Sequence, residues 1–298
     1  MASVFITGIC GFIGRAIAEL ATEQGYDVSG IDRAGRKRAG IRIEKADVRD
    51  RRTMLKLTKN VDYVIHTAAI TSDIEFEKRL GYCYDINVNG FNSVIEAACA
   101  NGCKKFVYAS SSAVYRNIFS EDAVLDVNGQ KNNYAKTKII NEMVAQSYND
   151  LGRIDAIGTR YFNVYGSGEL RKGNYASIIT LFIKQAMKYN KITIYGTGNQ
   201  SRDLIHVDDA AAITLALMKH GRAGIYNVGT GVSTSYNKIA KMISACRVVH
   251  IKTPLKTYQL FTKADTKKLK KTIGNYNFIN IEEGIGQLVK NMPNAALY

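Results

Sequence analysis

The sequence predicts a doubly wound α/β fold, in which helices cover both faces of a parallel sheet. Short runs rich in β-branched and aromatic residues alternate with helical periods through the first 230 residues. A glycine-rich segment joins the first run to the first helix. The alternation is lost over residues 165–204 and after residue 232, which predicts a smaller α/β lobe interleaved with the sheet.

The runs with the composition of buried strands are residues 4–6, 28–31, 63–65, 106–108, 156–159 and 225–228. The clearest helical periods between them are residues 14–24 and 87–100. Only Pro254 and Pro293 are present, so no proline-rich linker marks a boundary. The expected units are a dinucleotide-binding domain of residues 1–164 plus 205–232 and a substrate-binding lobe of residues 165–204 plus 233–298.

Hydropathy and the N-terminal residues bear on where the protein acts. No apolar run approaches the roughly 18 residues that a membrane-spanning helix needs. Met1-Ala2-Ser3 leads straight into the first predicted strand, without the basic stretch and long apolar core of a secretory signal. We therefore expect no membrane partner and a cytoplasmic location.

The formal net charge of +15 raises the question of nucleic-acid binding. The basic residues are dispersed, and the densest runs, residues 33–42 and 263–271, lack interleaved aromatic residues on which bases could stack. We therefore expect no nucleic-acid partner. The five cysteines form no Cys-x-x-Cys pair, and no histidine lies at ligand spacing from Cys99 and Cys103, so we also expect reduced thiols and no metal.

A cofactor site is indicated by Gly8, Gly11 and Gly14, which follow the first strand and open the first helix. In the Rossmann motif the first glycine permits a tight turn, the second lets the backbone approach a pyrophosphate, and the third lets helix and strand pack closely. Asp32, at the end of the second strand, is placed to bind the adenosine ribose hydroxyls, which favours NAD over NADP. Arg33 could instead hold a 2′-phosphate, so NADP is the less favoured alternative.

A proton-transfer site is suggested by Tyr134 and Lys138, which lie four residues apart on one face of a predicted helix. A phenol with a pKa of about 10 is a weak base at neutral pH, and a fixed cation beside it stabilises the phenolate. The pair could therefore shuttle a proton. The same spacing recurs on the surface of many helices, so it is not sufficient alone.

The order of the motifs along the chain resembles the extended short-chain dehydrogenase/reductases. The shared motifs are the glycine loop, Asp32, Asp47-Val48, His66-Thr67-Ala68-Ala69, Asn87, Ser110-Ser111-Ser112-Ala113-Val114-Tyr115 and the Tyr134/Lys138 pair. The motifs similar to the nucleotide-sugar epimerase and dehydratase branch are Arg160-Tyr161-Phe162-Asn163-Val164-Tyr165-Gly166 and Arg202-Asp203-Leu204-Ile205-His206-Val207-Asp208-Asp209. The resemblance covers nearly the whole chain and implies an NAD-dependent enzyme with a nucleotide-sugar substrate.

The resemblance implies that Ser111, Tyr134 and Lys138 form the catalytic set. Tyr134 would take the proton of a sugar hydroxyl while a hydride passes to the nicotinamide. Lys138 would bind the nicotinamide ribose and lower the pKa of Tyr134. Ser111, with Ser112 as the nearest alternative, would hydrogen-bond the reacting oxygen. His66 is expected to be a structural member of its strand end.

The resemblance also implies which residues contact the two ligands. Cofactor contacts are expected from Gly8, Gly11, Phe12, Ile13, Asp32, Arg33, Asp47, Val48, Thr67, Ala68, Ala69, Asn87, Tyr134, Lys138, Tyr161 and Val164. Substrate contacts are expected from Ser111, Ser112, Asn163, Lys172, Ser177, Tyr195, Arg202, Tyr258 and Asp265. Within the second set, Asn163 would lie near the diphosphate and Arg202 would pair with a phosphate.

The residue after Ser112 bears on the reaction. Dehydratases of this branch carry an Asp-Glu pair directly after the catalytic Ser or Thr, because eliminating water requires an extra acid and base. This chain has Ser112-Ala113 at the two positions after Ser111. We therefore expect epimerisation, in which a carbon is oxidised, the keto-sugar turns in the pocket and hydride returns to the other face.

Two epimerase types compete. The central motifs resemble UDP-hexose 4-epimerases, which act on UDP-glucose and UDP-galactose, and we favour this type. Residues 171–177 and 258–265 resemble ADP-heptose 6-epimerases, in which a lysine matching Lys172 serves at the active site, although Leu181 replaces a histidine of that family. A one-way nucleotide-sugar reductase or dehydrogenase would share the cofactor motifs. A non-catalytic regulatory protein would not need the intact catalytic set.

The predicted helices over residues 85–100 and 133–149 carry apolar positions on more than one face. Enzymes resembling this one commonly dimerise through such a pair of helices. We therefore expect a homodimer with a four-helix interface.

Overall fold

The computed structural model describes residues 1–35, 38–116, 119–243, 246–253 and 259–291. Within these ranges the chain forms a seven-stranded sheet and two smaller sheets. With strands numbered along the chain, the large sheet contains β1 (Ser3–Thr7), β2 (Asp27–Asp32), β3 (Arg42–Lys45), β4 (Tyr63–His66), β5 (Lys105–Ser111), β6 (Asp155–Tyr161) and β10 (Gly224–Val228). The strands of the smaller sheets are β7 (Asn163–Tyr165), β8 (Lys191–Tyr195), β9 (Ser201–His206), β11 (Ser233–Ser235) and β12 (Arg247–Ile251).

The helices follow the strands in the alternation that the sequence predicts. They are α1 (Phe12–Glu23), α2 (Arg51–Leu57), α3 (Asp73–Lys78), α4 (Leu80–Tyr84), α5 (Gly90–Ala100), α6 (Asn133–Asp150), α7 (Ile178–Tyr189), α8 (Val207–His220), α9 (Tyr236–Ile243), α10 (Lys267–Ile273) and α11 (Ile281–Asn291). A π-helical turn over Asp85–Asn89 joins α4 to α5, and two 3₁₀ segments span Ser112–Val114 and Glu169–Tyr175.

The strand order of the large sheet is β10-β6-β5-β4-β1-β2-β3, and every neighbouring pair is parallel. Because the order reverses between β1 and β4, this is the doubly wound Rossmann arrangement, and the predicted fold class is confirmed. All six predicted strands lie in this sheet. The seventh strand, β3, was not predicted, because Ile43 is the one apolar residue of this polar edge strand.

Both faces of the large sheet are covered, as a parallel sheet requires. On β1, Val4 and Ile6 pack in one core cluster with Ile17 of α1 and Ile213 of α8. Phe5, between them, points to the other face and packs in the cluster that contains Val94 of α5. The alternation of side chains along one strand therefore separates two hydrophobic cores.

A third apolar cluster lies among α7, α9, α11 and the small sheets, with Ile179, Ile192 and Ile239 at its centre. The small sheets have the orders β11-β9-β7 and β12-β8. They occupy the residues between β6 and β10 and after β10, where the sequence lacks a strand–helix rhythm. The exact division into two domains at the boundaries given above stays a prediction.

Asp203 of β9 ties separate parts of the chain together. Its fully buried carboxylate accepts hydrogen bonds from the backbone N–H groups of Thr230 and Gly231, both at 2.9 Å, and from that of Ala264, also at 2.9 Å. The Thr230 hydroxyl donates to it as well, at 2.7 Å. The loop after β10 and the segment before α10 are thereby fastened to one strand of a small sheet.

Within the described ranges, no helix is long and apolar enough to cross a membrane. Nor does any group of three His, Cys, Asp or Glu side chains in that part of the chain lie where it could hold a metal ion. None of the five cysteines, all of which lie within the described residues, is part of a disulfide bond, and Cys83 and Cys103 are buried.

Candidate active site

The carboxyl ends of the parallel strands meet at one edge of the large sheet, and a cleft runs along this edge. One part, the Asp32 half, has a volume of about 160 Å³ and lies over β2 and β4. The other, the Tyr134 half, has a volume of about 400 Å³ and lies over β5 and α6. Both halves are lined by Gly8, Gly11, Thr67 and Ala69. The turn between β1 and α1 that carries Gly8 and Gly11, here called the glycine turn, therefore forms their shared floor.

Close backbone contacts form the glycine turn. Gly8 has a φ of +70°, and a Cβ atom there would lie 2.8 Å from both the Cα and the N atom of Ala68. A Cβ on Gly14 would lie 2.3 Å from the carbonyl oxygen of Gly8. The missing side chains let α1 begin at the sheet edge with its first turn facing the cleft, which is the arrangement that binds a pyrophosphate.

The Asp32 half carries two carboxylates at its walls. Asp32 accepts hydrogen bonds from the backbone N–H of Ala34 at 2.9 Å and of Cys10 at 3.2 Å, which fix the orientation of its side chain. Asp47 pairs with Arg49 at 2.7 Å, and this hydrogen bond holds the pKa of Asp47 below its usual value. Fixed acceptors beside a glycine turn suit ribose hydroxyls and an adenine amino group, so these residues fit an adenine dinucleotide.

The Tyr134 half is built on the first two turns of α6. Asn132 caps this helix by accepting a hydrogen bond from the Ala135 N–H at 2.9 Å, which starts the helix directly before Tyr134. Lys138 follows one turn later, and its Nζ lies 5.5 Å from the centre of the Tyr134 ring. The same Nζ donates to the carbonyl oxygen of Ala109 at 2.7 Å. The predicted placement of both side chains on one helix face is therefore found.

Burial shifts the two titrating groups in opposite directions. It raises the pKa of Tyr134 to about 12, which the hydrogen-bonding Ser111 partly opposes. It lowers the pKa of Lys138 to about 8, which the negative charge of Glu142 partly opposes. The raised Tyr134 pKa is opposite to the direction expected from the Lys138 cation, because loss of solvation outweighs the other influences on the phenol.

His66 and Asn87 support the cleft from behind. His66 is buried, contacts the Thr7 hydroxyl through Nδ1 at 2.8 Å and has a pKa lowered to about 3 by burial, so it is neutral. Asn87, in the π-helical turn, accepts from the Ile70 N–H at 2.8 Å and donates to the Ile70 oxygen at 2.9 Å. It also donates to Thr137 of α6 at 3.2 Å, so it joins the wall after β4 to the helix of Tyr134.

The cleft brings together most of the residues predicted from the sequence. Those that line it are Gly8, Gly11, Phe12, Ile13, Asp32, Arg33, Asp47, Val48, Thr67, Ala68, Ala69, Ser111, Tyr134, Lys138, Tyr161, Val164 and Lys172. The predicted residues that the structure describes outside its walls are Asn87, Ser112, Asn163, Ser177, Tyr195, Arg202 and Asp265. Tyr258 lies outside the described residues.

Several residues outside the walls have structural contacts. Asn163 donates to the carbonyl oxygen of Asp203 at 3.1 Å, and the hydroxyl of Ser177 donates to Glu169 at 2.7 Å. Arg202 donates to the Ser201 oxygen at 2.9 Å. Tyr195 is 48% exposed at the end of β8, and Asp265 lines a separate cavity. Their expected contacts with a substrate stay predictions.

The lining residues of the Tyr134 half that the predicted contact sets did not include are Gly14, Thr71, Ala109, Ser110, Phe162 and Tyr175. Thr71 lies just beyond β4, and the position after a strand's carboxyl end is a signal that could have identified it. Tyr175 ends the 3₁₀ segment Glu169–Tyr175, in which Gly173 has a positive φ. Only the folded path of that segment brings it to the cleft.

Lys172, from the same 3₁₀ segment, adds a cation to the Tyr134 half. Its Nζ lies 4.1 Å from the centre of the Phe12 ring and 3.5 Å from the carboxylate of the buried Glu169. Burial lowers its pKa. The segment therefore places a second amine near the glycine turn.

Comparison with known proteins places this geometry in context. The profile of the NAD dependent epimerase/dehydratase family matches residues 4–229, more than half of the chain. A UDP-N-acetylglucosamine 4-epimerase from Methanobrevibacter ruminantium M1, solved with UDP-N-acetylmuramic acid, is 26% identical over 97% of both chains, with a TM-score of 0.88.

Two further solved structures are similar. TunA, an NAD dependent NDP-hexosamine 5,6-dehydratase involved in tunicamycin biosynthesis, is 25% identical over 97% of both chains, with a TM-score of 0.85. The ADP-L-glycero-D-manno-heptose-6-epimerase of Helicobacter pylori is 24% identical, over 98% of this chain and 97% of its own, with a TM-score of 0.82. At this level of identity, the similarity to the heptose epimerase shows a shared fold alone.

Replacing Gly8 with Ala is expected to weaken binding of NAD by at least about 100-fold, since an unrelieved clash of about 3 kcal/mol corresponds to that factor. The affinity can be measured by fluorescence titration. The matched control is Gly25→Ala, where φ is +81° but no atom lies within 4 Å of the new Cβ. That variant is expected to lose about 1 kcal/mol of stability and to bind NAD normally. Equal affinities of the two variants would contradict the steric argument.

Proposed function

Because this chain belongs to the NAD dependent epimerase/dehydratase family, we propose that it is an NAD-dependent nucleotide-sugar epimerase, most specifically a UDP-hexose 4-epimerase of the UDP-glucose and UDP-galactose type. The observation that carries this proposal is the placement of Ser111, Tyr134 and Lys138 in one half of a cleft whose other half carries the glycine turn and Asp32. A dinucleotide across both halves would bring its nicotinamide end to the tyrosine.

Asp32 favours NAD over NADP, because a carboxylate repels a 2′-phosphate. The neighbouring Arg33 donates to the Tyr82 hydroxyl at 2.9 Å, which gives its guanidinium a partner other than a phosphate. Gly8, Gly11 and the first turn of α1 would hold the pyrophosphate. When bound, NAD supplies a hydride acceptor beside the sugar.

The chain's own residues would manage the proton. The hydroxyl of Tyr134 interacts with that of Ser111, so the two can share a proton taken from the sugar hydroxyl as its carbon loses hydride. Lys138 favours the phenolate by its charge. The same pair would give the proton back to the oxygen of the keto-sugar once the sugar has turned in the pocket, so that the epimerisation would involve no net oxidation.

The walls of the Tyr134 half favour epimerisation over dehydration. Among the described residues that line it, none is an aspartate or a glutamate, and Ser112-Ala113 follows Ser111 where a dehydratase would carry an Asp-Glu pair. Elimination of water needs an additional acid and base. The one other amine of this half, Lys172, is half-buried and paired with Glu169.

Lys172 supports a second candidate, an ADP-heptose 6-epimerase. It lines the same half as Tyr134, and a lysine at the matching position serves at the active site of that type. The two candidates differ in the nucleotide and in the carbon that is inverted, so product analysis separates them.

The purified protein is expected to interconvert UDP-glucose and UDP-galactose, or their N-acetyl forms, without consuming NADH. Tyr134→Phe is expected to lower kcat by about 100- to 10,000-fold with NAD still bound, because the proton acceptor is lost. NMR of product mixtures from UDP-, ADP-, GDP- and dTDP-sugars provides the measurement. Tyr148→Phe, on the same helix but outside the cleft, is the control and should stay active.

Several outcomes would contradict this assignment. Inversion of an ADP-heptose alone would favour the second candidate, and steady turnover of NADH with a 4-keto sugar would favour a reductase. Full activity in Tyr134→Phe would remove Tyr134 from the catalytic set.

The opposite pKa shifts of Tyr134 and Lys138 predict the pH dependence. The pair loses its first proton near pH 8 and its second near pH 12, so the state with one proton removed spans that interval. A phenolate beside an ammonium belongs to this state. We therefore expect kcat to rise about tenfold per pH unit below the first break and to level off above it. A rate independent of pH between 6 and 9 would contradict a chemical step limited by this pair.

We also propose that the protein is a homodimer joined through α5 and α6. Met143, on α6, is 60% exposed although it is apolar. Light scattering at micromolar concentration should give twice the mass of one chain, and Met143→Glu should shift the protein towards the monomer because it places a charge in the interface. Met187→Glu, on α7, is the matched control and should remain dimeric. A monomeric native protein would rule out the proposed interface.

A further inference from the structure

A buried ion pair lies beneath the Tyr134 half of the cleft. Glu142 of α6 and Arg160 of β6 are 7% and 3% exposed, and they form two parallel hydrogen bonds of 2.7 and 2.9 Å. Burying such a pair costs desolvation energy, and apolar replacements of similar size are often equally stable. Stability alone therefore does not explain the pair.

The pair contacts both sides of the turn that carries Ser111. Before the turn, the hydroxyl of Ser110 donates to Glu142 at 2.5 Å. After it, the hydroxyl of Tyr115 accepts from Arg160 at 2.8 Å and donates to Asn227 at 2.7 Å. The end of β5 and the 3₁₀ segment Ser112–Val114 are thus fixed from below at two points, with the Ser111 hydroxyl between them.

The pair also reaches the catalytic lysine. Glu142 lies one turn after Lys138 on α6, and both side chains are buried. The Lys138 amine is held in place by its hydrogen bond to the carbonyl oxygen of Ala109. Ala109 lies in β5, the strand that also carries Ser110. One carboxylate therefore acts on Lys138 by its charge and on the Ser111 turn by a hydrogen bond.

We propose that Glu142 and Arg160 are a positioning pair. The pair would hold the Ser111 hydroxyl and the charged Lys138 amine at the positions that proton transfer requires. Neither residue lines the cleft, so their action on the substrate passes through the serine and the lysine. The role rests on the proposed function, although its electrostatic part can be tested without any substrate.

The titratable and charged groups around Lys138 and the neighbouring Glu142 come from five elements. They are Tyr134 and Glu142 on α6, His66 on β4, Tyr108 on β5, Arg160 and Tyr161 on β6, and Lys172 and Tyr175 of the 3₁₀ segment Glu169–Tyr175, which line the same half of the cleft. His66 is neutral, and burial raises the pKa of Tyr108 and Tyr161, so these three carry no charge near neutral pH. Glu142 is thus the negative charge that favours the protonated lysine, with Arg160 as its partner.

The decisive variant is the double replacement Glu142→Met with Arg160→Met, which removes both charges and keeps similar volume. The first break of the pH profile should move to lower pH, because Lys138 loses the carboxylate that favours its protonated form. The plateau of kcat should fall by about 10- to 100-fold, with KM near its wild-type value, since a catalytic group displaced by about 1 Å costs such a factor.

Ser110→Ala is a milder variant that keeps the ion pair. It should lower kcat and move the break less than the double variant does, because it removes one hydrogen bond to the Ser111 turn and keeps the charge of Glu142. The matched control is Asp209→Asn, which replaces another buried carboxylate with a neutral amide. That carboxylate accepts hydrogen bonds from the Tyr276 hydroxyl and the Ile279 N–H, both at 2.9 Å. The control should lose stability and keep the wild-type pH profile.

Nitrogen NMR of ¹⁵N-lysine-labelled protein follows Lys138 directly, with its signal assigned by Lys138→Arg. The Lys138 pKa should be lower in the double variant than in the wild type. If the wild type converts no sugar, the proposed function fails while this titration still tests the pair. If the double variant folds and keeps the wild-type lysine titration, or if it and Ser110→Ala both keep the wild-type kcat and break, the positioning role is wrong.

Discussion

The contact between the Gly8 turn and the backbone of Ala68 is the constraint on which the rest of the site depends. A single Cβ atom at Gly8 would come within 2.8 Å of that backbone, so the two segments lie too close together to admit a side chain at this position. The approach brings the end of β1 against the end of β4 and sets the first turn of α1 at the cleft floor. Both halves of the cleft share this floor, so the glycine turn fixes the spacing between the Asp32 wall and the Tyr134 wall.

The parts of the structure that the sequence predicts well are those that depend on local pattern. Asp32 and Ser111 lie at strand ends, and Tyr134 and Lys138 share a helix face, so their positions follow from the elements that carry them. The parts it predicts poorly depend on contacts between distant segments. Asn163 faces Asp203 outside the cleft walls, and Tyr175 reaches the cleft along an irregular path. The three-residue strands β7 and β11 are too short to leave a pattern.

Burial acts on Tyr134 and Lys138 in the same sense, although their pKa values move in opposite directions. In each case it favours the neutral form, so the buried pair resists separation of charge. Glu142 counteracts this effect for the lysine and Ser111 for the tyrosine. The groups that make the pair chemically useful are therefore its neighbours, and one of them, Glu142, could not be identified from the Tyr-x-x-x-Lys spacing.

The carboxylate of Asp203 joins residues that lie 27, 28 and 61 positions away along the chain. Closing loops of that length lowers the entropy of the chain, and this loss is offset when the hydrogen bonds to Asp203 have formed. During synthesis on the ribosome, the partner at Ala264 emerges long after the glycine turn, the Tyr134 helix and the large sheet. The cofactor part of the cleft can therefore form first, whereas the surroundings of Asp203 cannot be completed until Ala264 has been made.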